Sequence, residues 1–188
     1  MKVIAIDPSI NFVGWAIAED GHLLNSGLIK PYSGMAHTRP AKTKLRAEIK
    51  EALHLAKIHI DLTNILTSEE ARNPYIQIAY VERPSKFVRQ SKMTRKNKNV
   101  ESVQKLAMAY GVILLTLNLR SIPTQSVSPK LARKERAVAS ALVRIERKIG
   151  KSGAKIIKLT THEAEAIVWA SFYSRVVRAI SDIVRGVI

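Results

Sequence analysis

Three short stretches of this chain place acids and a histidine where a cation could be held. Met1-Lys2-Val3-Ile4-Ala5-Ile6-Asp7 is an apolar run that delivers a carboxylate to its carboxyl end. Ile76-Gln77-Ile78-Ala79-Tyr80-Val81 leads in the same way into Glu82. Near the C-terminus, Thr160-Thr161-His162-Glu163-Ala164-Glu165 sets a histidine and a carboxylate three residues apart, on one face of what reads as a first helical turn. Ligands of open α/β sheets gather beyond the carboxyl ends of the strands. Two strand-end carboxylates and a helix able to close on them are the parts of a divalent-metal site, and its natural chemistry is assisted hydrolysis.

Each residue also has a plainer explanation. A lone carboxylate after a strand often serves a turn or a cap. Glu165 is favoured in a first turn by the helix dipole. Thr160 and Glu163 form a Thr-x-x-Glu capping box, which accounts for Glu163 and turns it elsewhere. His162 by itself reads as a surface histidine, and His22, His37, His54 and His59 read as surface or packing residues. The pair of strand-end acids tips the balance toward function. A zinc-protease helix is excluded, because its second histidine would fall at Ala166. There is no phosphate-binding glycine loop, no dinucleotide fingerprint and no specified partner for Ser9 or Ser85 as a nucleophile.

The charge of the chain is opposite to that of the proposed site. Lys and Arg number 31 against 15 Asp and Glu, a formal net charge of +16. A basic protein that gathers a few acids suits a polyanion bound around a metal, and nucleic acid is the commonest polyanion. The cations are not confined to one amphipathic helix, which disfavours membrane-surface binding. They concentrate between residues 83 and 98, where Arg83, Lys86, Arg89, Lys92, Arg95, Lys96 and Lys98 occur with no acid among them. Phe87 is the single large aromatic of that stretch, and it either stacks on unpaired bases or folds back onto the sheet edge. Without cysteine there is no disulfide, thiolate zinc site or cysteine nucleophile. No apolar run reaches transmembrane length, and the first residues are patterned as a strand, not a leader. The expectation is a soluble, cytoplasmic protein.

The elements that must position these residues follow from periodicity. Strands are predicted over 2–7, Phe12 to Ala18 and Leu23 to Ile29, with a hairpin turn at Asp20-Gly21. A long helix follows, with Leu45, Ile49, Leu53, Ala56 and Ile60 as its apolar face. The strand into Glu82 precedes a second helix from near Asn99, striped by Val100, Val103, Ala107, Tyr110, Leu114 and Leu117. A strand at Ile122 to Val127, a helix from Pro129 to about Gly150 and a last helix from Thr160 complete the chain. Three strands and then helix–strand alternation describe one α/β domain over 1–188 with a mixed sheet.

Val3-Ile4-Ala5-Ile6-Asp7-Pro8-Ser9, Val13-Gly14-Trp15-Ala16, Val81-Glu82-Arg83-Pro84 and His162-x-x-Glu165-Ala166, in this order, resemble the RuvC family of Holliday junction resolvases, within the RNase H-like nucleases. The family usually has Gly where this chain has Ser9, and Asp-x-x-Asp where it has His162 and Glu165. Its lysine-bearing glycine-rich stretch is not recognisable, leaving Lys130 and Lys134 as candidates for that role. The pattern is that of a divergent member, of phage or chromosomal origin, acting in a bacterial or phage-infected cell.

The resemblance implies an RNase H-like fold, a five-stranded mixed sheet flanked by helices. It implies two Mg²⁺ ions held by Asp7, Glu82, His162 and Glu165, and four-way junction DNA as substrate. With His162 in place of a carboxylate, Mn²⁺ should also serve. Paired nicks in a two-fold junction call for a homodimer, with the helix from Asn99 to Leu117 as interface. The sequence names no branch-migration partner. A flap, branched-DNA or RNA–DNA hybrid nuclease, and a non-catalytic binder of branched DNA, are the competing readings.

Overall fold

The computed structural model describes residues 1–9, 12–30, 44–70, 75–84, 96–127 and 161–184, with side chains left undescribed at 44–47, 70, 96–102, 161 and 176–184. Its elements run β1 (Lys2–Pro8), β2 (Val13–Glu19), β3 (His22–Ile29), α1 (Lys44–Glu70), β4 (Ile78–Glu82), α2 (Lys96–Leu119), β5 (Thr124–Val127) and α3 (Thr161–Val184). The strands form one mixed sheet in the order β3-β2-β1-β4-β5. The first three strands pair antiparallel, whereas β4 lies parallel to both β1 and β5. This is the five-stranded mixed sheet flanked by helices that the resemblance implies.

Strand periodicity decides what faces what. Ile4 and Ile6 of β1, with Val13, Trp15, Ile17, Ala79 and Val81, cover the face packed by Ile58, Leu62 and Leu66 of α1 and Ala109, Ile113 and Leu117 of α2. Val3 and Ala5, with Ala16, Ala18 and Tyr80, cover the other face, against Ala166, Trp169 and Ala170 of α3. Asp7 continues the Val3–Ala5 row, and Glu82 follows Tyr80 by two. Both acids therefore belong to the α3 face.

The turn at Asp20-Gly21 is as expected: φ is 51° at Asp20 and 89° at Gly21, the positive pair that a type I′ hairpin demands. The Gly21 amide donates to Ser174 Oγ at 2.8 Å, which ties the hairpin to α3.

The stripe expected on the first helix faces the wrong way. Ile49, Leu53 and Ile60 are 51, 49 and 55 % exposed, and Ala56 is exposed with them. The face that packs on the sheet is His54, Ile58, Leu62, Leu66 and Glu69. Two of those five are polar, so an apolar count selects the neighbouring stripe. Glu69 is buried because Lys2 reaches it, Nζ to Oε2, at 2.8 Å. The stripe expected on α2 does reach the core, through Leu117, Tyr110 and Leu114, although the packed face is centred on Ala109 and Ile113. Ala109, Ile113, Thr116 and Leu117 are buried, Val103, Tyr110 and Leu114 are half-buried, and Ala107 is exposed. Thr116 Oγ1 donates to the Val112 carbonyl at 2.8 Å, so its contact with His59 Nδ1, also 2.8 Å, uses the imidazole N–H as donor. The helix expected from Pro129 to Gly150 lies outside the described residues. No described helix is long and apolar enough to cross a membrane.

Candidate metal centre

Asp7 ends its row at the carboxyl end of β1, where it is 2 % exposed. It is held there from both sides, by the β1–β2 pair Asp7–Gly14 and by the β1–β4 pair Ile6–Val81. Glu82 stands one residue beyond Val81, so the two acids leave adjacent parallel strands at the same level. Its backbone is fixed by pairing with Val127 of β5, and the Arg83 amide extends that ladder to the Val127 carbonyl at 2.9 Å. Glu82 is half-buried and Arg83 exposed.

The first turn of α3 closes on this strand end. His162 Nδ1 lies 2.6 Å from Asp7 Oδ2. An ionised carboxylate only accepts, so Nδ1 carries the proton and donates. Burial pushes the His162 pKa down, while the charges of Glu165 and Glu82 pull it back up. In the neutral ring, an Nδ1–H given to Asp7 leaves the Nε2 lone pair free to ligate a metal or take a proton. One ligand atom each from Asp7, His162 and Glu165 lie within 4.8 Å of one another. Among the described residues this is the only such group of three or more. Two carboxylates and an imidazole form a donor set suited to a hard or borderline divalent ion. Glu82 is outside the trio but close enough for its charge to act on His162.

The four residues singled out by spacing are therefore brought to one place. Glu163, set aside as a cap, turns away from them as expected, but into the protein. It is 8 % exposed and its Oε1 accepts from Ser26 Oγ of β3 at 3.1 Å. Sequence reasoning assigned nothing to Ser26. Of the cations proposed to meet DNA, Arg83 is exposed beside the site, and Lys96 and Lys98 belong to the first turn of α2. Lys86, Phe87, Arg89, Lys92, Arg95, Lys130 and Lys134 lie outside the described residues.

Comparison with known proteins bears on this geometry. The chain is 30 % identical over 137 residues to the crossover junction endodeoxyribonuclease RuvC of Ehrlichia canis (strain Jake), spanning 71 % of this chain and 69 % of the relative. It is 32 % identical over 136 residues to that of Ehrlichia ruminantium (strain Welgevonden), spanning 71 and 70 %. The chain belongs to the RuvC family. Solved structures agree on the RuvC fold. Thermus thermophilus RuvC in complex with Holliday junction substrate superposes with a TM-score of 0.61 at 19 % identity, covering 95 % of this chain and 96 % of that one. The yeast mitochondrial Holliday junction resolvase Ydc2 gives 0.50 at 15 % identity, covering 92 and 77 %. No protein-family model matches the chain.

Proposed function

We propose that this protein is a structure-selective DNA endonuclease that resolves four-way junctions by paired nicks. The observation that carries the reading is the clustering of Asp7, His162 and Glu165 within 4.8 Å, with Glu82 on the adjacent strand end. This acid cluster sits in a chain of net charge +16. The curated relatives are named crossover junction endodeoxyribonucleases, and one structural relative was solved on a Holliday junction.

Asp7, Glu82, His162 and Glu165 would hold two Mg²⁺ ions, with Mn²⁺ an effective substitute. When bound, such ions lower the pKa of water and stabilise the charge that develops in phosphodiester hydrolysis. The chain's own groups do the rest. The stiff ends of β1 and β4 fix two carboxylates, and the Asp7 hydrogen bond orients the His162 ring. Arg83 presents a cation to the phosphate backbone outside the acidic centre.

Two nicks related by a two-fold axis need two copies of the site. The exposed apolar residues Met108, Leu115 and Leu119 on α2 support a dimer through that helix.

Incubation with a labelled synthetic four-way junction and Mg²⁺ is the direct test, run beside flap and RNA–DNA hybrid substrates. Symmetric nicks in the junction, absent in EDTA, are expected. Preferential cutting of flap or hybrid would assign a different nuclease, and binding without cutting would make the acids structural. The basic stretch has its own test. Changing Arg89, Lys92 and Arg95 together to Ala should flatten the salt dependence of junction binding, by a slope of about one per lost phosphate contact. An unchanged slope would make these residues ordinary solvated cations.

A further inference from the structure

The α3 face of β2 carries no side chain larger than methyl along its row: Gly14, Ala16 and Ala18. Helix α3 meets this row with small residues of its own, Ala166 and Ala170. The approach is tightest at the helix start. A Cβ built on Gly14 would stand 2.7 Å from the Glu163 amide nitrogen, and closer still to the carbonyl group of His162. These are backbone atoms of a helical turn, so no side-chain rotation relieves the collision. Gly14 has no positive φ, and the residue is therefore required by space alone.

Gly14 is also the β2 partner of Asp7. One backbone pair thus carries the buried carboxylate on one strand and the seat of His162 on the other. We propose that Gly14 is the positioning residue of the metal centre, because its missing side chain lets the first turn of α3 rest on β2. That seating brings His162 and Glu165 to Asp7. The inference deepens the function proposed above and takes from it the identity of the site. An added methyl would lift the helix start by about 1 Å, and a misplacement of that size can cost about 10²-fold in rate.

Gly27 supplies the control. A Cβ there would meet the Trp15 ring at 2.8 Å, a packing collision that touches none of the site residues. Gly14→Ala and Gly27→Ala are both expected to melt earlier than the wild type. Only Gly14→Ala should lose the hydrogen-bonded ¹⁵N signature of His162 Nδ1, read in metal-free protein and assigned by its loss in His162→Gln. The same variant should need at least tenfold more Mn²⁺ for half-saturation and cut junctions about 10²-fold more slowly. Gly27→Ala should keep all three properties.

The proposal falls if Gly14→Ala keeps the His162 signature and Mn²⁺ affinity. It also falls if Gly27→Ala loses both in proportion to its melting temperature. The close approach can be read without any variant, from nuclear Overhauser effects between the Gly14 Hα protons and the Glu163 amide, and their absence would likewise overturn it. Neither the histidine signal nor Mn²⁺ binding requires DNA. A wild type that binds Mn²⁺ without cutting junctions would remove the proposed activity and leave the role of Gly14 standing.

Discussion

Asp7→Asn is expected to lower junction cutting by on the order of 10³-fold or more, with junction binding held or tightened. Asp7 is 2 % exposed, and Asn has nearly its shape, so the strand and its packing should survive. The Asn carbonyl can still accept from His162 Nδ1, so the histidine keeps its place. What disappears is the negative charge at the carboxyl end of β1, which the site needs to hold its ions. The same charge repels the phosphates of the substrate, and its removal favours binding while it prevents cutting. Glu82→Gln should behave alike, since it removes the matching charge from the adjacent strand end. Rates are to be measured on a synthetic junction at saturating Mg²⁺, with binding measured separately in Ca²⁺. A variant that cuts near the wild-type rate would exclude Asp7 from the chemistry.

The acids were legible in the sequence because strand periodicity is local. An apolar run that stops at Asp7, one residue before β1 ends, and an apolar β4 that ends at Glu82 show both carboxylates at strand ends before any contact is known. The same holds for the hairpin, where Asp20-Gly21 suits positive φ at both positions. The burial of the long helix was not legible. Its packed face includes His54 and Glu69, and Glu69 is inside only because Lys2, 67 residues earlier, neutralises it. A pattern that scores polar residues as exposed must choose the stripe of Ile49, Leu53 and Ile60 instead. The role of Gly14 was hidden for a related reason. A glycine inside a strand signals close approach of some other group. Nothing local says that the group is the backbone of His162. Glu163 shows the reach of a local rule, since the capping-box pattern, whose Thr160 lies outside the described residues, gives no hint of the bond to Ser26.

Glu69→Ala is expected to rank with the loss of a large core side chain in its damage to stability, with little effect on the chemistry. Lys2 and Glu69 meet at 2.8 Å, each only 2 % exposed, where the start of β1 meets the end of α1. Asn25 Nδ2 adds a long hydrogen bond to Glu69 Oε1, at 3.4 Å. Removing the carboxylate leaves an ammonium in the core without its counter-charge, a defect that costs about 3–5 kcal/mol. For a domain of this size that corresponds to a fall in melting temperature of roughly 6–20 °C. Replacing both partners together, Lys2→Met with Glu69→Leu, removes the orphaned charge and should restore most of the loss, because buried ion pairs rarely outperform apolar residues of similar volume. Lys2 and Asp7 are five residues apart on one strand, about 16 Å at strand rise. Below its melting temperature, Glu69→Ala should therefore cut junctions at close to the wild-type rate. Thermal melts and single-turnover cutting at low temperature check the two halves. A melting temperature within about 2 °C of the wild type would mean that water reaches the pair. Lost cutting in a folded Glu69→Ala protein would mean that the two ends of β1 are coupled, and that the strand is less rigid than its pairing on both sides implies.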